Sequence, residues 1–91
     1  MDIERARREE MRWLILQALY AAQPVGTSEL IIKNAIEQVI LDATMLEVRR
    51  ELDYLEERGL VSVTNRNTTT WFAKLNNHGV DIVEYTIDCL P

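Results

Sequence analysis

The sequence has 91 residues, 47% of them hydrophobic, with three Gly and two Pro; this predicts one compact domain and excludes a chain too polar to offset its conformational entropy. Fifteen acids against ten bases give a net charge of −5 and a pI near 4.8, opposite to the basic excess common among nucleic-acid binders. One cysteine, Cys89, excludes an intramolecular disulfide and a cysteine-rich metal site.

The longest apolar run falls far short of the roughly 20 residues of a membrane span. The acidic, Arg-rich start is unlike a signal peptide, so a soluble, cytoplasmic protein without membrane contact is expected. The charge is uneven along the chain. The stretch 59–79 contains Arg66 and Lys74 and no acid, whereas the segments around it are neutral or acidic.

The first predicted element is a helix over about 3–22, because Met11, Leu14, Ile15, Ala18, Leu19 and Ala22 recur at three- and four-residue steps. Gln23-Pro24 ends it, since proline removes a donor and disfavours helix in the residue before it. Thr27 or Ser28 caps a second helix over about 28–40, with Ile32, Ala35, Ile36, Val39 and Ile40 as its apolar face. After a tight turn at 41–43, Thr44 and Glu47 stand at capping-box spacing and open a third helix over about 44–58. Met45, Val48, Leu52 and Leu55 form its buried stripe. Gly59 supplies the left-handed residue that closes it.

Beyond Gly59 the apolar period changes from near four to two. Leu60 to Thr64 and Thr70 to Leu75 are predicted strands around a polar tip at 65–69, making a β-hairpin over about 60–75. Asn76 or Asn77 then caps a short last helix over about 77–86. The fold class is mainly α with a small β-hairpin.

This order of elements is that of a winged helix-turn-helix domain. The run from Val48 to Val61, VRRELDYLEERGLV, resembles the recognition helix and first wing strand of bacterial regulators of the ArsR-like and MarR-like groups. Leu75-Asn76-Asn77-His78-Gly79 is similar to the leucine-threonine-x-x-glycine step with which such domains leave the wing, Asn76 replacing the threonine. The segments Trp71 to Leu75 and Val83 to Thr86, with the overall size, also resemble small regulators encoded in Mu-like prophages. That narrower resemblance implies a phage or bacterial source.

The resemblance implies a DNA-binding transcriptional regulator, working as a homodimer, whose third helix and wing contact double-stranded DNA. Rotating by about 100° per residue from Val48 puts Ala43, Leu46, Glu47, Arg50, Asp53, Tyr54 and Glu57 on the outer face, with Arg49 at its edge. The candidate DNA contacts are Thr44, Glu47, Arg49, Arg50 and Tyr54 on the helix with Arg66, Asn67 and Lys74 on the hairpin. Arg50 suits a guanine edge, Arg49 a phosphate, and Glu47 either accepts from cytosine or repels the backbone. Arg66 at the tip suits phosphate or the minor groove.

The alternative keeps the fold and makes it a protein-interaction module. Against base contact stands a solvated helix face formed by Arg49, Arg50, Glu51, Asp53 and Glu57, with weak pairs such as Arg50–Asp53 and Arg49–Asp53, and Leu46 packs against the second helix or marks a protein contact. In the first helix Arg5, Arg7, Arg8 and Arg12 are balanced by Glu4, Glu9 and Glu10 at intrahelical pairing distances. Trp13, Trp71, Phe72 and Tyr85 are expected in the core or a dimer interface. One His and one Cys, remote from each other, offer neither a catalytic constellation nor a metal site, so no enzyme activity and no cofactor are expected.

Overall fold

The computed structural model describes residues 2–89. It contains α1 (Ile3–Ala21), β1 (Thr27–Ser28), α2 (Glu29–Glu37), α3 (Met45–Glu57), β2 (Val61–Thr64), β3 (Phe72–Leu75) and α4 (Asn77–Asp88). Each helix opens on a side chain that accepts an otherwise unpaired N–H: Asp2 for α1, Ser28 for α2, Thr44 for α3 and Asn76 for α4. At α3 the cap is reciprocal, Thr44 Oγ1 accepting from Glu47 N–H at 3.2 Å while Glu47 Oε1 accepts from Thr44 N–H at 3.0 Å. Gly59, at φ 78°, ends α3 in the left-handed region and turns the chain into β2.

Three features depart from the expected boundaries. The hairpin is part of a three-stranded antiparallel sheet in the order β1-β3-β2, because Thr27 and Ser28 pair with Ala73 and Phe72. Two residues are too few for hydrophobic alternation to reveal a strand. Helix α2 stops at Glu37, and Val39 and Ile40 N–H both bond to Ile36 C=O in a tightened last turn. Its buried stripe is consequently narrow, consisting of Glu29, Ile32 and Ile36, with Ala35 and Val39 exposed. Ala43, assigned by helical rotation to the outer face of α3, is buried, because it precedes the cap and the rotation does not extend to it.

The core gathers Met11, Ile15, Leu16 and Leu19 of α1, Ile32 and Ile36 of α2, Val48, Leu52 and Leu55 of α3, the inward residues of the sheet, and Val83 of α4. Leu16 lies outside the predicted stripe. It is buried because α1 packs against α2, α3, α4 and β3 at once and so needs a broader apolar face. Trp13 and Trp71 pack on the edge of this core as expected, whereas Tyr85 is exposed.

At the outer edge of the sheet, the N–H of Val63 in β2 donates to Glu56 Oε2 of α3 at 2.8 Å. Among the described residues no helix is long and apolar enough to cross a membrane.

Candidate nucleic-acid interface

Helix α3 and the β2–β3 wing carry the candidate contacts, and ion pairs within the chain hold most of the charged ones. Arg49 projects toward α2, where its Nε and Nη2 donate to Glu29 Oε1 and Oε2 at 2.6 and 2.7 Å. Glu29 is 2% exposed and also accepts the Trp71 N–H at 2.8 Å. The Arg49 guanidinium holds the Glu29 carboxyl below its ordinary range, and Glu29 raises Arg49 in return. Arg49 further donates to the Thr69 carbonyl at 3.1 Å and lies 4.7 Å from the Trp71 ring centre. A residue read as a phosphate ligand thus joins α2, α3 and the wing.

Arg66 reaches from the wing tip back to α3. Its Nη1 lies 2.5 Å from Asp53 Oδ1 and its Nη2 2.6 Å from Glu56 Oε1, with the guanidinium 4.5 Å from the centre of the same Trp71 ring. Partial burial works against its charge, but the Asp53 and Glu56 carboxylates outweigh it and raise the Arg66 pKa. The Glu56 carboxyl is lowered first by the Val63 N–H and then by Arg66.

Glu47 is likewise engaged. Arg7 of α1 donates to both its oxygens, at 2.9 and 3.1 Å, and places a third bond on Asp42 at 3.0 Å. Arg7, followed by the Thr44 cap, holds the Glu47 carboxyl down to about 2. Thr44 itself is occupied as the cap. Tyr54, predicted on the outer face, is half-buried between two arginines, 3.7 Å from Arg12 and 5.1 Å from Arg58.

Arg50 differs from these residues. It is exposed on α3 and has no ion-pair or hydrogen-bond partner among the described residues. Asn67 and Lys74 are also exposed on the wing without such a partner. Leu46, in the first turn of α3, is 71% exposed and is not among the residues packed on the core.

The structure therefore brings Arg49 and Arg66 together on Trp71, but each is paired with carboxylates of this chain. Neither Arg49 nor Arg50 pairs with Asp53, because Glu29 and Arg66 supply closer tertiary partners. In α1, Arg5–Glu9 and Arg8–Glu4 are intrahelical as expected, at 3.0 and 3.9 Å. Arg7 and Arg12 instead cross to α3, and Arg12 meets the 2%-exposed Glu51 at 2.6 Å.

Glu29 is an important residue that sequence reasoning overlooked, and Glu51, expected on a solvated face of the third helix, is buried instead. A signal was present: Glu29 precedes Ile32 and Ile36 at i+3 and i+7, and Glu51 lies within the buried spacing of Val48, Leu52 and Leu55. An acid at a core position requires a cation from elsewhere.

No family model and no curated protein matches the chain. Solved structures do. A Staphylococcus aureus MepR–DNA complex is 25% identical, with a TM-score of 0.70, over 86% of this chain and 60% of that one. A mutant MepR from a multidrug-resistant S. aureus clinical isolate is 24% identical with a TM-score of 0.73, over 90% and 57% of the two chains. MepR described as a transcription regulator of the multidrug efflux pump MepA is 24% identical with a TM-score of 0.69, over 86% and 54%. The chain spans a little over half the length of these structures. Four helices and a three-stranded antiparallel sheet, arranged as in MepR, make its fold a winged helix.

Proposed function

We propose that this chain is a non-catalytic, cytoplasmic transcriptional regulator that binds duplex DNA with α3 and the β2–β3 wing. The observation that carries this reading is its likeness, over 86% of its length, to a winged-helix regulator solved together with DNA. Arg50, Lys74 and Asn67 support it as exposed groups suited to a base edge or to phosphate.

Fluorescence anisotropy with duplex fragments from the gene's own neighbourhood, titrated across salt concentration, tests the reading. Affinity is expected to fall with salt, with a log–log slope of about −0.9 per phosphate neutralised. Arg50→Ala is expected to weaken binding about 5- to 100-fold, corresponding to the range for one base-reading side chain. No binding at low salt overturns the proposal.

Part of the proposal is a homodimer, supported by exposed Ile82, Tyr85 and Ile87 on α4 and Ile3 on α1. Sedimentation equilibrium reads this directly, and a monomer at high micromolar concentration refutes it. A phage or prophage origin rests on the resemblance of the Trp71 to Leu75 and Val83 to Thr86 segments. Phage genes flanking this one support it, and their absence counts against it.

A second reading, a protein-interaction module, is favoured by one observation: Leu46 is 71% exposed in the first turn of α3, while Arg49 and Arg66 are paired with carboxylates of this chain. Pull-down from source cells that recovers only nucleic acid removes it.

A further inference from the structure

We propose that Asp53 and Glu56 form an internal phosphate mimic that holds the wing-tip Arg66 in the absence of DNA, so that this chain restrains its own affinity. The inference rests on the DNA-binding reading and deepens it. The two carboxylates present oxygens to the two terminal nitrogens of one guanidinium, at 2.5 and 2.6 Å. Arginine forks bind carboxylate and phosphate by the same planar geometry. A duplex phosphate at the wing therefore competes for the same donors.

The grip is suited to release. The Arg66 side chain is 35% exposed and those of Asp53 and Glu56 are 54% and 38% exposed, so water and salt screen both pairs. The Trp71 ring, 4.5 Å from the guanidinium, gives Arg66 a base that does not depend on the carboxylates. Arg49 differs, since its carboxylate partner is 2% exposed and its guanidinium also binds the Thr69 carbonyl. Arg49 is fixed in place, whereas Arg66 can exchange partners. Once Arg66 turns to DNA, Asp53 and Glu56 remain beside the helix as uncompensated negative charge, which adds to the cost of binding.

Asp53→Asn is the cleanest probe, because the Asp53 side chain has no other hydrogen bond among the described residues, whereas the Glu56 side chain also accepts the Val63 N–H. Glu57→Gln is the control: it removes the same charge from the same helix at an exposed residue that makes no ion pair or hydrogen bond with Arg66. Duplex affinity is measured by anisotropy for both variants and for Arg66→Ala and Asp53→Asn/Arg66→Ala. Circular dichroism confirms that each is folded.

Asp53→Asn is expected to tighten binding about three- to tenfold, the size of one screened ion pair plus one charge. Glu57→Gln is expected to give less than half that gain on a logarithmic scale, and the excess is expected to vanish when Arg66 is absent. Equal gains from Asp53→Asn and Glu57→Gln, or an excess of Asp53→Asn over Glu57→Gln that survives Arg66→Ala, overturn the mimic and leave the DNA reading intact. Failure of wild type and every variant to bind duplex overturns both.

Discussion

Replacing Glu29 by alanine tests whether the wing is held to the helices from beneath. Glu29 accepts two bonds from Arg49 and one from the Trp71 N–H, at 2.6, 2.7 and 2.8 Å. Loss of the Trp71 N–H bond to this charged carboxylate costs about 1.5 kcal/mol. The charged fork is worth more in isolation, but Arg49 has a side chain 33% exposed and recovers water, and alanine no longer desolvates a carboxylate. These offsets leave about 1–2 kcal/mol from the fork. Glu29→Ala is therefore expected to destabilise the fold by about 2.5–3.5 kcal/mol, lowering Tm by about 10–25 °C for a domain of this size. Glu29→Gln keeps one acceptor oxygen, able to serve the Trp71 N–H and Arg49 Nη2 as Glu29 Oε2 does, but sets its amide NH2 against the Arg49 Nε–H, so it is expected to recover only part of the loss.

Thermal unfolding followed by circular dichroism at several pH values is the assay. Because Arg49 lowers the folded-state pKa of Glu29, the carboxylate's contribution is complete above its unfolded value near 4.5 and is lost as pH falls through the lower folded value. The gap between wild type and Glu29→Ala is expected to narrow in acid. A drop in Tm of less than about 3 °C at pH 7, or a gap that widens on acidification, refutes the reasoning.

Glu47 gives a second acid-sensitive term: held at about 2 by Arg7 and the Thr44 cap, it contributes stability that is intact above its ordinary value of 4.5 and is lost between there and about 2. Urea unfolding at pH 7 and pH 3 is expected to show a smaller pH dependence for Glu47→Gln than for wild type, and an unchanged dependence argues against the Arg7 fork. At Gly79 an added Cβ meets the Leu60 carbonyl oxygen at 2.2 Å and Leu75 Cδ1 at 2.7 Å. Since Leu60 C=O also accepts the Asn76 N–H that begins α4, the backbone has little room to yield. Gly79→Ala is expected to cost about 1–3 kcal/mol despite alanine's better helix propensity, as read by the urea midpoint; equal or greater stability refutes the close approach.

The helices and the hairpin were legible because each carries a local signal: the capping box at Thr44 and Glu47, the change of period after Gly59, the proline after α1. The pairing of β1 was not, since Thr27 and Ser28 join the sheet through Ala73 and Phe72, 46 and 44 positions away, a relation that no local window contains. The site was legible as a set of residues and illegible as a set of charges. Arg50, Asn67 and Lys74 stand exposed as read, whereas Arg49, Arg66, Glu47 and Tyr54 are engaged by Glu29, Asp53, Glu56, Arg7 and Arg12 across the fold. Summing charge by segment treats acids and bases as independent, and here the acids are committed to particular arginines.

The bond from Val63 to Glu56 bears on how two copies of this chain can meet. Strand β2 is an outer edge of the sheet, where an unpaired N–H invites strand addition by another molecule. Glu56 takes that donor and sets a charged helix alongside it, while the opposite edge, β1, is only two residues long. Neither margin offers a template of useful length, so edge-to-edge pairing of copies is disfavoured, and a variant lacking Glu56 is expected to expose the wing to such aggregation.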